Sequence, residues 1–254
     1  MRTLHGLEAL KGFAIAATDG EIGHVKDVFF DDQERTIRYL VVDTGGWLSG
    51  RLVLISPSSI KSANWNERNL AVNLSKQQVE DSPGIDTEKP VSRQHEVELY
   101  NYYGYPFYWT GPFLWGDKVF PALVNQVPFD GSEPDVAVAR LERERAQEDA
   151  HLHSANEVIG YRLKESDDEI GHVEDFLFDD ASWKIELLVA DTRNWLPGKH
   201  VLISPSHIVN VDWGSDTVEV DVTRAKIESS PEYDPKRPPS VDSGDSIYQS
   251  LYRD

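Results

Sequence analysis

The chain contains no cysteine. That absence excludes disulfides, thiolate nucleophiles and cysteine-held zinc or iron–sulfur sites together. No stretch reaches about 18 consecutive apolar residues, so no integral membrane segment is expected. Positive charge is also scarce: 25 Lys and Arg stand against 44 Asp and Glu, a formal net charge of −19. Nucleic-acid binding needs a cationic footprint that displaces phosphate counterions, and this composition opposes one. The opening residues, Met1 to Gly6, lack the apolar core of a secretory leader, and a cytoplasmic location is expected. No nucleophile–histidine–acid signature and no phosphate loop occurs, so no catalytic residue, cofactor or metal is assigned.

What the chain does have is a repeat. Glu21-Ile22-Gly23-His24-Val25 returns as Glu169-Ile170-Gly171-His172-Val173, 148 residues later. At the same offset Asp43-Thr44 becomes Asp191-Thr192, and Leu54-Ile55-Ser56-Pro57-Ser58 becomes Leu202-Ile203-Ser204-Pro205-Ser206. Between 21 and 60, 24 of 40 positions match without a gap, so two copies of one small fold stand in tandem. Their charges differ. Residues 1–85 hold 9 basic and 11 acidic groups, whereas 151–235 hold 7 basic and 18 acidic. The surfaces of the copies therefore diverge more than their fold, and they are not expected to share a partner.

Each copy reads as β. Phe13 to Ala17 leads into Thr18-Asp19-Gly20, a tight hairpin signal. Strands follow over Ile22–Phe30, Ile37–Val42 and Val53–Ile55, where Pro57 stops the ladder. Leu40-Val41-Val42 and Leu187-Leu188-Val189 are apolar runs suited to a strand buried on both faces. Ile60–Trp65 and Leu70–Leu74 form a last hairpin. Ser75 with Gln78 three residues on is a capping box for a short closing helix, with Val79 turned inward and Pro83 ending it. About six short strands and one helix per copy predict an all-β chain of two small β-barrels. The expected domains are 1–86, a linker over 87–150, 151–235 and a flexible tail over 236–254. Within the linker, Pro134 to Asp149 reads as a charged helix.

The order of an apolar strand, a turn, then Ile-Gly-His-Val-x-Asp-x-x-Phe-Asp-Asp, a strand ending in Asp-Thr and a strand ending in Ile-Ser-Pro resembles the PRC-barrel family. That family includes the cytoplasmic domain of the photosynthetic reaction-centre H subunit and the barrel of a ribosome maturation factor. The resemblance covers about 5–86 and 153–234. It implies a six-stranded or similar barrel with a C-terminal helix, used for assembly and protein contact and not for chemistry. Neither the membrane helix of the H subunit nor the RNA-associated domain of the ribosome factor has a counterpart here. The expected role is a non-catalytic interaction or scaffold protein. The alternative is an accessory protein of a photosynthetic or membrane electron-transfer complex.

The individual candidates mostly favour structure over chemistry. As histidines, His24 and His172 are candidates for tuning a partner's electrostatics, but their recurrence in copies with different surfaces favours a hydrogen-bonded strand position. Asp43 and Asp191 are expected to accept backbone N–H groups in the loops that follow them. Asp31-Asp32 and Asp179-Asp180 lack calcium-loop spacing and read as solvated turns. His151 and His153, near Glu148 and Asp149, offer only a loose metal set, because His5 matches His153 without such neighbours.

The linker carries the best functional candidates. Seven of the ten residues from Tyr100 to Trp109 are aromatic, interrupted by Gly104 and Pro106, which predicts an ordered loop or hairpin. Tyr and Trp combine rigid contact area with a polar handle, as interface anchors do. Tyr102, Tyr103, Tyr105, Phe107, Tyr108, Trp109 and Trp115 are therefore candidate contacts for a protein partner or for self-association. The other reading is that they fill the groove between the two barrels and stay buried. Docking at a membrane interface ranks last, since an acidic chain opposes anionic lipid.

Overall fold

The computed structural model describes residues 3–84, 91–126, 151–165, 168–192, 199–230 and 232–239. In chain order the first copy contributes β1 (Leu4–Gly6), α1 (Leu7–Leu10), β2 (Ala14–Ala17), β3 (Gly20–Asp31) and β4 (Thr36–Asp43). It continues with β5 (Leu52–Ile55), β6 (Ile60–Asn64), β7 (Asn69–Val72) and α2 (Lys76–Glu80). The linker adds α3 (Arg93–Tyr103). The second copy gives β8 (Leu152–Ser154), α4 (Ala155–Val158), β9 (Arg162–Glu165), β10 (Asp168–Asp179) and β11 (Ile185–Asp191). It ends with β12 (His200–Ile203), β13 (Ile208–Asp212), β14 (Thr217–Val220) and α5 (Arg224–Ser229). The charged stretch 134–149, the residues Glu148 and Asp149 and the tail beyond 239 lie outside the described residues.

Two compact units result, and they cut across the repeat boundaries. One holds residues 10–154 with 181–183; the other holds 1–9, 155–180 and 184–254. The first-repeat unit has a seven-stranded sheet in the order β5-β4-β3-β2-β7-β6, with β8 on β3. The second-repeat unit has the order β12-β11-β10-β9-β14-β13, with β1 on β10. Each sheet thus takes its seventh strand from the opposite repeat. The registers correspond across the 148-residue offset: Phe30 faces His153 and Asp31 faces Leu152, while Phe178 faces His5 and Asp179 faces Leu4. The sequence alone does not show this exchange.

Strand β3 explains how one strand serves three neighbours. It is 12 residues long and pairs with β4 along one edge. Its other edge pairs with β2 near Gly20–His24 and with β8 near Phe29–Asp31. A register shift between Val25 and Asp27 bends it, as an inserted residue does in a bulge. The second copy repeats the shift between Val173 and Asp175. β4 is buried from Thr36 to Val42, which accounts for its uninterrupted apolar run.

The closed barrel expected from the sequence is not what the sheets form. Among the described residues no ladder joins β5 to β6 or β12 to β13, so each pairing path stays open. The reason is local. Pro57 stops β5, and the Ser56 side chain accepts from Ser58 N, folding Pro57–Ser59 into a tight turn between the strands. The closing helix does follow the sequence reading: Ser75 and Gln78 form the capping box, and Val79 is buried.

Candidate functional site

The shared motif is scaffolding first. A Cβ on Gly23 would stand 2.0 Å from the Asp43 carbonyl oxygen, and one on Gly171 would stand 2.1 Å from that of Asp191. Only glycine permits so close an approach of strands. Thr44 Oγ1 donates to Arg51 O at 2.7 Å, and Thr192 Oγ1 to Lys199 O at 3.0 Å. Arg51 then reaches the carbonyls of Glu80 and Ser82 at the end of α2, and Lys199 reaches those of Glu228 and Ser230 at the end of α5. A basic side chain on unsatisfied helix-terminal carbonyls fixes the helix to the sheet. Asp43 Oδ1 accepts from Gly45 N at 2.9 Å, the turn role expected of it.

The exchanged strands carry their own clasp. His153 Nε2 lies 3.4 Å from Asp32 Oδ2, and His5 Nε2 lies 3.3 Å from Asp180 Oδ2. Asp31 and Asp179 are buried, at 3% and 0% exposure, so the pair of aspartates is not a solvated turn. The carboxylate behind each exchanged strand differs between units. Asp27 Oδ2 accepts from the Ser154 hydroxyl at 2.5 Å. Its counterpart Asp175 faces Gly6 and accepts from Glu8 N at 3.2 Å and Phe176 N at 2.8 Å. Burial pushes the Asp175 carboxyl up to about 6, with those backbone donors working against the shift.

The densest polar cluster lies in the first-repeat unit and centres on Glu96, which is 0% exposed. Ser92 caps the start of α3 and Gly104, in the left-handed conformation at φ 70°, ends it. Tyr100 to Tyr103 are therefore helical, and only the residues beyond Gly104 form the loop that the sequence suggested for the whole stretch. Glu96 Oε1 accepts from Tyr39 OH at 3.2 Å and Tyr108 OH at 3.0 Å. Its Oε2 pairs with Arg93 Nη1 at 3.0 Å and His151 Nε2 at 3.2 Å. Burial opposes charge on His151, but the hydrogen bond and charge of Glu96 outweigh it and raise the imidazole above its usual range. Burial, reinforced by Glu96, holds the Tyr39 and Tyr108 hydroxyls far above the ordinary phenol range. Both therefore stay protonated and donate to Glu96, and Tyr108 OH also accepts from Arg93 Nη1 at 2.9 Å. Arg38, buried against Asp31 Oδ2 at 3.3 Å, lies 3.6 Å above the Tyr108 ring and bonds the Leu114 carbonyl. Trp115 Nε1 donates to Ser182 O at 2.9 Å.

Around this cluster the linker rings pack as core. Tyr100, Phe107 and Tyr108 join Phe29, Tyr39, Val41 and Leu54 from the sheet, with Tyr103, Tyr105 and Trp109 packed against them. Of the seven residues singled out as partner contacts, Phe107, Tyr108 and Trp115 are buried, and Tyr103, Tyr105 and Trp109 are half-buried. Tyr105 OH is 2.6 Å from Ser59 Oγ, and burial lifts it to about 12. Only Tyr102 is exposed, at 38%. Six of the seven are thus buried or half-buried within the first-repeat unit, five of them packed with Phe29, Tyr39, Val41 and Leu54 of its sheet. Sequence reasoning passed over Glu96, Arg93 and Arg38, and weighed His151 only as part of a loose metal set with residues outside the described ones. A charge at an inward helix position looks like a solvent-facing residue until the tyrosines that need an acceptor are placed beside it.

A family model for the PRC-barrel domain matches residues 3–75 and 151–227, and the chain belongs to that family. Comparison with curated proteins gives no match. Among the described residues no helix is long and apolar enough to cross a membrane.

Proposed function

We propose that the protein is a non-catalytic scaffold, and that its docking surface is the outer layer of the aromatic segment, not the inner one. One observation carries this reading. Among the described residues five large apolar side chains are exposed: Tyr102, Phe113, Val119, Leu123 and Val209. Four of the five belong to the segment 102–123, whose other rings are buried or half-buried. Apolar side chains held on a rigid, pre-ordered base lose little entropy when they are covered, which favours binding. The constellation that most resembles catalytic machinery supports the non-enzymatic reading. Glu96, His151 and Tyr108 are 0%, 2% and 4% exposed and are engaged with one another, with no polar atom turned outward to a substrate.

The test compares the intact chain with a Phe113→Ser, Val119→Ser, Leu123→Ser variant, both confirmed as folded by circular dichroism. Each serves as bait in cell lysate and is also run in sedimentation velocity for self-association. A partner, or an oligomer, that is retained by the intact chain and lost by the variant is the expected result. Identical captures and identical sedimentation from the two proteins would remove this surface from the function. Co-flotation of the intact chain with vesicles, lost in the variant, would shift the reading to a membrane-complex accessory.

A further inference from the structure

The geometry points to a divalent-metal site on the second-repeat unit, formed by His172, Glu174 and Asp191. Their ligand atoms all lie within 4.8 Å of one another. His172 Nε2 is 3.4 Å from Asp191 Oδ2 and 3.9 Å from Glu174 Oε2. Ligands held tetrahedrally at zinc bond lengths stand roughly 3.3 Å apart, so small rotations of the two outer side chains complete the set.

The backbone explains why these three meet. His172 on β10 and Asp191 on β11 are directly opposed in the ladder. Glu174 occupies the register shift between Val173 and Asp175. Residues two apart on a strand share a face, so Glu174 lies on the side of the His172–Asp191 pair, 3.9 Å from His172 Nε2. Burial grades across the site. The side chain of Asp191 is 2% exposed, that of His172 34% and that of Glu174 44%. One donor is therefore fixed and two are adjustable, with solvent on the open side to supply water ligands. One imidazole nitrogen with two carboxylates is a borderline-hard donor set suited to Zn²⁺ or Mn²⁺.

An ordinary ion pair accounts for less of this arrangement. His172 Nε2 carries at most one proton and gives one hydrogen bond, yet two carboxylates converge on it. A dication offsets the repulsion between them as well as binding the nitrogen. The first copy supplies the contrast. At the 148-residue offset the histidine and aspartate recur as His24 and Asp43, but Lys26 stands where Glu174 does. There His24 Nε2 lies 3.8 Å from Glu21 instead. An ammonium in place of the third donor removes the site from one copy and leaves it in the more acidic one.

The experiment uses the full, tag-free chain. Zn²⁺ is titrated in competition with a chromophoric chelator, against the wild type and the variants Glu174→Lys, His172→Gln and His207→Gln. The last removes another histidine–aspartate pair, His207 Nδ1 to Asp221 Oδ1 at 2.6 Å, as a control for surface binding. The expected result is one Zn²⁺ per chain, with affinity reduced at least about tenfold by Glu174→Lys and by His172→Gln and unchanged by His207→Gln. Glu174 is exposed enough for its replacement to leave folding intact, and circular dichroism checks both variants. Absence of zinc uptake by the wild type overturns the assignment. So does uptake that survives both changes at the site, or that falls only with His207→Gln.

Discussion

The same sheet face is covered twice in this molecule, in two different ways. In the first-repeat unit Phe29, Tyr39, Val41 and Leu54 lie under α3 and the aromatic loop. At the 148-residue offset the second-repeat unit presents Leu177, Leu187, Val189 and Leu202, joined by Leu4 and by Tyr233 from beyond α5. One substitution explains much of the divergence. Leu187 asks only for apolar contact, but Tyr39 brings a hydroxyl into the interior, and a buried hydroxyl needs a partner. Glu96 supplies it. A buried carboxylate then requires Arg93 and His151, and Tyr108 closes the network. A single polar atom on the sheet thus goes with an entire charged cluster in the layer above it, where the other copy manages with a few side chains.

The largest effect is expected where the two coverings differ most. Glu96→Ala leaves Arg93 charged and Tyr39 unpaired in the interior of the first-repeat unit. Breaking a buried pair of this kind costs about 3–5 kcal/mol. Denaturant unfolding followed by hydrogen exchange should show β4 and α3 losing protection while β10 and β11 keep theirs. Equal loss in both units would mean that they unfold as one body and that the comparison has no energetic content.

Next in size are the exchanged strands. Leu4 and Leu152 occupy equivalent positions, each 0% exposed, each in the core of the unit built on the other repeat. Truncation of a buried leucine to alanine costs about 2–5 kcal/mol. Leu4→Ala should therefore weaken protection in β10, more than 160 residues away in sequence, and Leu152→Ala in β3. If Leu4→Ala instead weakens β3, each repeat keeps its own first strand and the exchange is wrong.

A symmetric perturbation sharpens the contrast. Gly23→Ala and Gly171→Ala put a Cβ against the same carbonyl in each copy, so they should destabilise their units alike, by more than about 1 kcal/mol. Thermal unfolding of the two variants checks it. A large difference would show that the coverings, not the shared motif, set local stability.

How much of this was legible follows from what kind of signal each feature leaves. The strands, the capping box at Ser75 and the inward Val79 rest on local pattern, and local pattern is written along the chain. The exchange of β1 and β8 is invisible to it, because Leu4-His5-Gly6 and Leu152-His153-Ser154 are related by the same 148-residue offset as the two sheets, so either pairing satisfies the repeat. A trace existed: His5 recurs as His153 and Asp32 as Asp180, and these are the residues that clasp the exchanged strands. The linker aromatics were visible as a composition, but composition does not separate a ring that anchors a partner from one that fills a core. Of the exposed apolar side chains in this segment only Tyr102 belongs to the dense run that drew attention; Phe113, Val119 and Leu123 lie beyond it. Glu174 was unremarkable for the same reason as Glu96. Its meaning depends on a strand partner, which a one-dimensional reading does not supply.

The smallest expected effect concerns protonation, and it too should separate the units. His151 has its folded-state value raised above the unfolded one by Glu96, in spite of burial and of the nearby Arg93. A raised histidine contributes stability that is fully present below the unfolded value, near pH 6.5, and is lost as pH rises through the folded value. The first-repeat unit should therefore lose stability on going from pH 6 into the alkaline range, with β4 and α3 showing it first in hydrogen exchange. His151→Gln removes the proton-binding group but keeps a donor for Glu96, so its stability should lose this slope while its β10 and β11 behave as in the wild type. The Asp31 carboxylate also favours the charged imidazole, so Asp31→Asn should shift the midpoint of the slope to lower pH without abolishing it. A slope that survives His151→Gln unchanged would assign the pH response to another group and leave the Glu96 cluster a static brace.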